Sequence, residues 1–339
     1  MIASRLLLAC CFGPLFAADG DAAPLFADVE PLAVTIVAPL DAFREERDSG
    51  EYHDGTLTVE GGRQFDIKLR ARGRYRRQER TCEFPPVRLN FRKKQVEGSV
   101  FDGQDKLKLV THCRTERDNY EQQLLKEYLA YRILASVTEQ SFRTRLLRIS
   151  WQSSDSDEGL FERYAFLIED EDLLGERLGL EPAEVKSAPA ARLAGEQAAL
   201  VAVFEYLIAN TDFSLIAGPA DDICCHNIVL YRAGDELLPV PYDFDFAGLV
   251  GAPYAVPNPK LKIRSVRTRL YRGRCEHNEH LPAAVQAFRN ARADIMRLVD
   301  TVPGLEDDQR GRSRRFIEQF YKTIDSDGRV SSRLLRRCL

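Results

Sequence analysis

The stretch from Phe65 to Arg72 reads FDIKLRAR, and its apolar side chains alternate with charged ones along the whole length. Successive side chains of a β-strand point to opposite faces, so this pattern predicts a strand with one buried face and one basic face. The same alternation recurs at residues 87–92 and 106–109. We therefore predict neighbouring strands that bury one face and present rows of Lys and Arg on the other.

The remaining periodicity places strands early in the chain and helices late. Apolar or alternating runs predict further strands at 32–37, 56–60, 142–151 and 164–168, and a short hairpin from 228–231 and 238–242. Helical spacing of apolar residues predicts helices at 119–136, 198–209, 282–299 and 309–324. This order indicates an α+β protein with a mostly β N-terminal lobe (30–175), a hinge or linker rich in Ala (176–195) and a mostly helical C-terminal lobe (196–339).

Composition and charge exclude several classes of protein. The 339 residues are 44% hydrophobic and 29% charged, which is typical of a globular chain and not of a disordered one. A net charge of −4 argues against a nucleic-acid partner. Residues 61–120 nevertheless hold 16 Lys and Arg against 8 Asp and Glu, while residues 151–200 hold 4 against 12. This asymmetry predicts either two complementary surfaces or a site for an anionic ligand.

The N-terminus is typical of an export signal. Arg5 precedes an apolar run from Leu6 to Phe16, which is too short to cross a bilayer and is followed by Ala17 and Ala18. We expect residues 1–18 to be a cleaved signal peptide and the protein to be periplasmic or secreted. A lipoprotein box ending at Cys10 and a buried N-terminal segment are the less favoured interpretations. No later stretch has the length and apolar character of a transmembrane segment.

Cysteine usage agrees with export. Six of the eight cysteines lie beyond the predicted signal, and an even number in an oxidising compartment predicts disulfides rather than free thiols. We expect Cys82 to pair with Cys113, and either Cys224 or Cys225 to pair with Cys275. Free buried thiols in a cytosolic protein are the alternative.

Polar residues that suit phosphate chemistry concentrate between residues 210 and 245. Asp212 follows an apolar helix, Asn227 precedes a predicted strand, and Asp243 and Asp245 follow the next one. Phosphoryl transfer needs a carboxylate near the acceptor, and an Asn and an Asp that hold Mg²⁺ on the phosphates. Asp212, Asn227 and Asp243 occur in that chain order. Each of them also fits a turn or a helix cap.

Several motifs within residues 65–250 resemble the spore-coat protein H (CotH) type of atypical kinase-like proteins, and in particular an exported bacterial group among its distant relatives. They are Arg72-Gly73 after a strand, the strand 84–89, Leu107-Lys108-Leu109 before a helix, the strand 164–169, Asn210-Thr211-Asp212, His226-Asn227 and Tyr242-Asp243-Phe244-Asp245. The resemblance implies a two-lobed protein-kinase-like fold. It also implies that the chain binds ATP with Mg²⁺ or Mn²⁺ and transfers a phosphoryl group to a protein or another hydroxyl acceptor.

By the same resemblance, Asp212 is the catalytic carboxylate, and Asn227 and Asp243 bind the metal, with Asp245 as a second candidate. The strand lysine of the family corresponds here to Pro86 or Arg88. The binding of phosphates is therefore assigned to a set of basic strand residues, Arg88, Lys106, Lys108 and Lys68.

Two other functions fit the sequence. A catalytically inactive, kinase-fold envelope or binding protein would explain why no Gly-x-Gly-x-x-Gly loop is present. A zinc-dependent hydrolase would draw its ligands from Cys224, Cys225, His226, Cys275, His277 and His280. Two charged runs are expected to be solvated: the arginines at 74, 76, 77 and 80 as an exposed loop, and residues 169–172 as an acidic edge.

Overall fold

A closed β-barrel forms the first part of the protein. The computed structural model describes residues 23–157, 159–218 and 223–339, so the predicted signal peptide at 1–18 lies outside the described residues. The barrel strands follow the order β1-β2-β3-β4-β5-β7-β6, in which β1 and β6 are parallel and all other neighbours are antiparallel. These strands are β1 (Leu32–Ala38), β2 (His53–Val59), β3 (Gln64–Ala71), β4 (Val87–Phe91), β5 (Lys106–Val110), β6 (Thr144–Ser153) and β7 (Phe161–Ile168).

The alternating strands behave as their sequences predict. Phe65, Ile67 and Leu69 of β3 are buried in the barrel core, which also contains the only tryptophan, Trp151. The basic residues between them point away from that core, and the strand register aligns Arg70 with Arg88 and Arg88 with Lys108. Burial of these apolar strand side chains is the main stabilising contribution to the barrel.

Helices and a second, smaller sheet make up the rest of the described chain. The second sheet has the order β10-β9-β8 and contains the predicted hairpin, as β8 (Glu181–Pro182), β9 (Ile228–Ala233) and β10 (Glu236–Pro241). The helices are α1 (Leu40–Glu45), α2 (Lys93–Val96), α3 (Asp118–Ala135), α4 (Glu171–Leu178), α5 (Gly195–Ile208), α6 (Leu281–Asn290), α7 (Arg292–Thr301), α8 (Asp307–Ile324) and α9 (Asp327–Arg333). The single helix predicted at 282–299 is interrupted at Ala291, where α6 ends and α7 begins.

The predicted two-lobed, kinase-like fold with a mostly helical C-terminal lobe was wrong. Because β1 returns in parallel beside β6, the first sheet closes on itself and buries its apolar face inside a barrel. A second core then joins α3 and β7 to α5 and α8, so one continuous set of buried side chains crosses the predicted boundary between the lobes. The later part of the chain also contains the three-stranded sheet.

The barrel and the second core together position the site described next. The loop after β3 and the strand β5 reach the end of β10, and α3 supplies buried polar residues beneath them.

Within the described ranges, no helix combines the length and the apolar character needed to span a bilayer.

Candidate functional site

The polar residues predicted from three separate segments line one cavity of about 570 Å³. Asp212 enters it from the segment after α5, Asn227 from the residue before β9, and Asp243 and Asp245 from the segment after β10. Lys108 of β5 also lines this cavity, together with residues of the loop that follows β3. Carboxylate, amide and ammonium groups that are distant in sequence therefore share a single cavity.

The other predicted phosphate ligands do not line this cavity. Arg88 and Lys106 point outward from the barrel strands β4 and β5, and neither is among the residues that enclose it. Lys68 lines a different cavity and forms an ion pair with Asp54, with Nζ and Oδ1 3.1 Å apart. Of the four basic residues proposed from the sequence, Lys108 is the one that the fold brings to the acidic cluster.

Two of the site residues have a left-handed backbone. Asn227 has φ 55° and Asp243 has φ 61°, a conformation that Asn and Asp adopt more readily than other non-glycine residues. The backbone N–H of Tyr242 donates to the carbonyl of Asn227 at 3.0 Å, and that of Asp243 donates to the hydroxyl of Tyr131 at 2.9 Å. The first bond joins the ends of β9 and β10, the second connects the segment after β10 to α3, and both polar side chains line the cavity.

Asp212 and the two residues before β9 form a hydrogen-bonded group. Oδ1 of Asp212 lies 2.9 Å from Nε2 of His226, and this hydrogen bond raises the pKa of the imidazole. Nδ2 of Asn227 donates to the carbonyl of Asp212 at 2.7 Å and to its Oδ2 at 3.2 Å. Both bonds use the amide nitrogen, so the amide oxygen of Asn227 is the atom that can accept a bond from a ligand or bind a cation.

Arg272 supports this group from below. Its Nη1 donates to the carbonyls of Thr211 at 2.5 Å and Phe213 at 2.9 Å, on either side of Asp212. Asn210 adds a further constraint, because its Oδ1 accepts from the backbone N–H of Asp212 at 2.9 Å. The position of the Asp212 carboxylate is therefore fixed by bonds to the residues around it.

A buried arginine joins three carboxylates beneath the cavity. Arg76 contacts Glu127 of α3 at 3.1 Å, Asp243 at 3.0 Å and Asp245 at 3.2 Å. Burial alone would lower the pKa of Arg76, but the carboxylates of Glu127 and Asp245 outweigh it and raise the pKa. Burial raises the pKa of both Glu127 and Asp245, and the guanidinium opposes that rise.

This arginine corrects the expectation that the run at 74, 76, 77 and 80 is wholly exposed. Arg76 is 8% exposed, because it turns inward while its neighbours remain at the surface. The carboxylate of Asp245 is likewise buried and also accepts from the hydroxyl of Tyr254 at 3.1 Å. Asp243 differs from Asp245 in that its side chain is 42% exposed. No sequence signal identified this cluster.

The cationic side of the cavity contains Lys108 and Arg72. Lys108 forms an ion pair with Glu171 of α4, and its Nζ lies 5.2 Å from the centre of the Tyr242 ring. The sequence analysis predicted a solvated acidic edge at residues 169–172. The ion pair of Glu171 shows that this edge is not purely solvated. Arg72 lines the same cavity, and its Nε is buried without a hydrogen-bond partner among the described residues. The Arg72-Gly73 motif marked this position in the sequence, although we did not predict a role in binding for it.

The disulfides agree with one predicted pairing and correct the other. Cys82 pairs with Cys113 as predicted. Cys224 and Cys225 pair with each other, and Cys275 pairs with Cys338, so the expected bond between either of the adjacent cysteines and Cys275 was wrong. The adjacent pair lines the cavity directly before His226.

These pairings remove the cysteine ligands of the zinc alternative, since all of its thiols are oxidised. In the part of the chain that the structure describes, no group of three or more His, Cys, Asp or Glu side chains could hold a metal ion by itself. Three disulfide bonds are typical of a protein from an oxidising compartment.

Comparison with known proteins adds no family assignment. No family model matches the chain, and a search of curated proteins finds no match to it. The resemblance to the CotH type stays a prediction from motifs.

Proposed function

We propose that the cavity binds a nucleoside triphosphate together with a divalent cation and transfers a phosphoryl group to a hydroxyl acceptor. The observation that supports this proposal is that Asp212, Asn227, Asp243, Lys108 and Arg72 line one cavity of about 570 Å³. That volume lies within the usual range for small-molecule sites, which is roughly 300–1,000 Å³. Phosphoryl transfer depends on positioning and on charge stabilisation, and this set of groups can supply both.

Lys108 and Arg72 are the proposed contacts of the phosphate oxygens. The ion pair with Glu171 holds the Lys108 ammonium at the cavity, in the way that a charged partner orients a long side chain. The unpartnered Nε of Arg72 is buried, and a buried donor without an acceptor costs free energy that a phosphate oxygen would offset. Two cations of this kind suit a ligand with several negative charges.

Mg²⁺ or Mn²⁺ fits the oxygen donors of Asn227 and Asp243. Mg²⁺ in nucleotide sites commonly uses one or two protein ligands and takes the others from phosphates and water. The Asn227 amide oxygen and the Asp243 carboxylate match this requirement, and one oxygen of Asp243 is engaged by Arg76. Asp245 is held by Arg76 and Tyr254, so it supports the cluster in this proposal and does not coordinate the ion. When bound, the cation would neutralise charge that develops on the phosphates.

Asp212 is the proposed acceptor of the hydroxyl proton. Its Oδ2 contacts the Asn227 amide and its Oδ1 contacts His226, and its side chain is 37% exposed toward the cavity. As the acceptor oxygen forms its bond to the γ-phosphorus, its proton passes to the Asp212 carboxylate, and the bond to the leaving diphosphate breaks. The nucleoside diphosphate is released and the acceptor becomes a phosphate ester.

We further propose that the protein works outside the cytoplasm, in the periplasm or after secretion. The disulfides support this location, and it also implies that the donor nucleotide must be available there. The partners in this proposal are a nucleotide and an acceptor with a free hydroxyl group, for which a protein is the first choice.

The test is nucleotide binding and phosphate transfer by the purified, oxidised chain. Binding of ATP is measured by calorimetry with and without Mg²⁺ or Mn²⁺, and transfer is followed with γ-³²P-ATP and a mixture of candidate proteins. We expect Lys108→Met to weaken binding about tenfold or more, and Asp212→Asn to abolish transfer while binding persists. Lys68→Met is the matched control, because Lys68 lies on the same barrel but lines another cavity. Absence of metal-dependent binding to the wild type would refute the proposal.

A binding protein without catalytic activity is the second candidate. It is favoured by the ion pairs through which Arg76 already neutralises Asp243 and Asp245. Nucleotide binding that needs no metal ion, is unchanged by Asp212→Asn and is followed by no transfer to any acceptor would select this candidate over the enzyme.

A further inference from the structure

A second cavity, of about 690 Å³, is enclosed by the C-terminal helices and the segment before α6. It shares no lining residue with the candidate site described above. Its walls come from the segment 267–271, from α5, from α8, from α9 and from the turn after α9. Six of its lining residues are cationic, and they are Arg267, Arg269, Lys322, Arg329, Arg333 and Arg337.

No carboxylate among the described residues pairs with these cations. No Asp or Glu is among the residues that line the cavity, and none of the six cations forms an ion pair with a carboxylate in the described part of the chain. Nearby arginines behave differently: Arg314 of α8 pairs with Asp300, and Arg292 of the neighbouring α7 pairs with Asp325. Like charges that share a cavity repel one another, so a bound anion would lower the free energy of this arrangement.

The inner wall of the cavity is held in place by hydrogen bonds. Arg269 donates to the carbonyl of Phe316 at 2.6 Å and to that of Leu207 at 3.2 Å, and its guanidinium carbon lies 4.0 Å from the centre of the Phe316 ring. Burial lowers the pKa of Arg269 to about 10, which leaves it charged at neutral pH. Arg267 donates to the carbonyl of Gly248 at 3.3 Å.

The outer wall is held by the end of the chain. A disulfide joins Cys275 to Cys338, and Leu339 donates to the carbonyl of Gly273 at 2.9 Å. Arg337 precedes this anchor by one residue, so its backbone is fixed although its side chain is exposed. The cations are therefore carried by an ordered frame and not by a free tail.

We propose that this cavity is a second ligand site, which binds a compound with several clustered phosphoryl groups. Arginine is the residue that best matches phosphate, because its planar group donates two parallel hydrogen bonds to phosphate oxygens. The hydroxyls of Thr268 and Ser332 line the same cavity and can donate to further oxygens. The volume accommodates a small oligophosphate, and a phosphorylated lipid headgroup presents the same chemistry.

The test uses tripolyphosphate as the soluble probe and the full, oxidised chain. Calorimetry measures its affinity for the wild type, for Arg333→Glu/Arg337→Glu, and for the control Arg312→Glu/Arg314→Glu. The control changes the net charge equally, but its arginines pair with Asp308 and Asp300 outside the cavity. Each lost charged contact weakens binding roughly tenfold, so we expect about a hundredfold loss in the first variant and little change in the control. Arg312, Arg333 and Arg337 are exposed and Arg314 is half-buried, and thermal unfolding without ligand checks that both variants fold.

Three results would overturn the proposal. Equal losses in both double variants would mean that tripolyphosphate responds only to net charge, and no binding to the wild type would mean that there is no such site. Loss on Lys108→Met alone would place the probe in the first cavity instead, so the two proposals fail separately. Vesicles with and without phosphatidylinositol bisphosphate then distinguish a headgroup from a soluble ligand, since only a headgroup would bring the wild type to the vesicle.

Discussion

Replacing Arg76 with Met should destabilise the protein more than any comparable change in the same loop. Met keeps an unbranched apolar stem of similar length, but it removes the guanidinium that contacts Glu127, Asp243 and Asp245. Glu127 and Asp245 are 2% and 4% exposed, so water cannot replace the lost guanidinium.

The magnitude follows from the burial of these groups. Removing one partner of a buried ion pair typically costs about 3–5 kcal/mol, because the remaining charge stays buried without compensation. Arg76 compensates two buried carboxylates, so we expect a loss of about 4 kcal/mol or more at pH 7.5. Arg77 provides the matched control, since it pairs with Asp48 at the surface, where such a pair contributes about 0–1 kcal/mol.

The loss should also depend on pH. Burial raises the pKa of Glu127 and Asp245 in the folded protein, and removal of Arg76 takes away the interaction that opposes this rise. A carboxyl with a raised folded pKa stabilises the fold below its unfolded pKa of about 4, and this contribution is lost as the pH increases toward the folded pKa. The deficit of Arg76→Met should therefore be smaller at pH 5 than at pH 7.5.

The assay is denaturant unfolding with the disulfides intact, followed by circular dichroism and by fluorescence. Trp151 is fully buried in the barrel core and is the only tryptophan, so its emission reports unfolding of the barrel. The reasoning is refuted if Arg76→Met is as stable as Arg77→Met at pH 7.5. It is also refuted if the difference between these two variants is the same at both pH values.

Three further changes test other buried groups. Burial raises the pKa of Glu205 to about 8. The free energy of unfolding of the wild type should therefore fall between pH 5 and pH 9, because this carboxyl is forced to ionise. Glu205→Gln should flatten the profile of unfolding free energy against pH. Burial lowers the pKa of His112 to about 3, so the fold should lose stability as the pH falls from about 6.5, and NMR titration should show a neutral ring at pH 5. The bond between Cys82 and Cys113 spans 31 residues, so replacing both with Ser should lower the free energy of unfolding in chemical denaturation by about 4 kcal/mol.

Local patterns determined the strands and most of the helices. The alternation at 65–72 became β3 with Phe65, Ile67 and Leu69 inside, because period-two patterning needs only the pleat and the burial of one face. The apolar spacing at 119–136 likewise became α3. The single predicted helix at 282–299 is in fact two, since apolar spacing does not show where a helical path changes direction at Ala291.

Local sequence patterns did not determine how these strands and helices are arranged. Closure of the barrel depends on the parallel pairing of β1 with β6, which lie more than 100 residues apart, and no local signal specifies that register. A closed barrel and an open sheet require the same alternation of side chains. This is why the strands were predicted correctly and the two-lobed fold was not.

Some residues of the candidate site were predicted from the sequence, and others were found only in the structure. Asp212, Asn227 and Asp243 were predicted from the sequence, because each is a polar residue directly beside an apolar strand or helix. The structure places all three in one cavity. The burial of Arg76 could not be predicted, because nothing in the sequence distinguishes it from the other arginines of the same run. Its contacts with Glu127 and Asp245 depend on the fold. The choice of Lys108 over the other basic strand residues likewise depends on which strand lies beside the end of β10.

The sequence by itself thus determined which segments form strands or helices and which side chains are available for chemistry. Both depend on residue type and on spacing along the chain. Only the tertiary structure decided which of those side chains meet. Burial and charge neutralisation act between residues that are far apart in sequence, and their effect on each group depends on distances that the order of the residues does not contain.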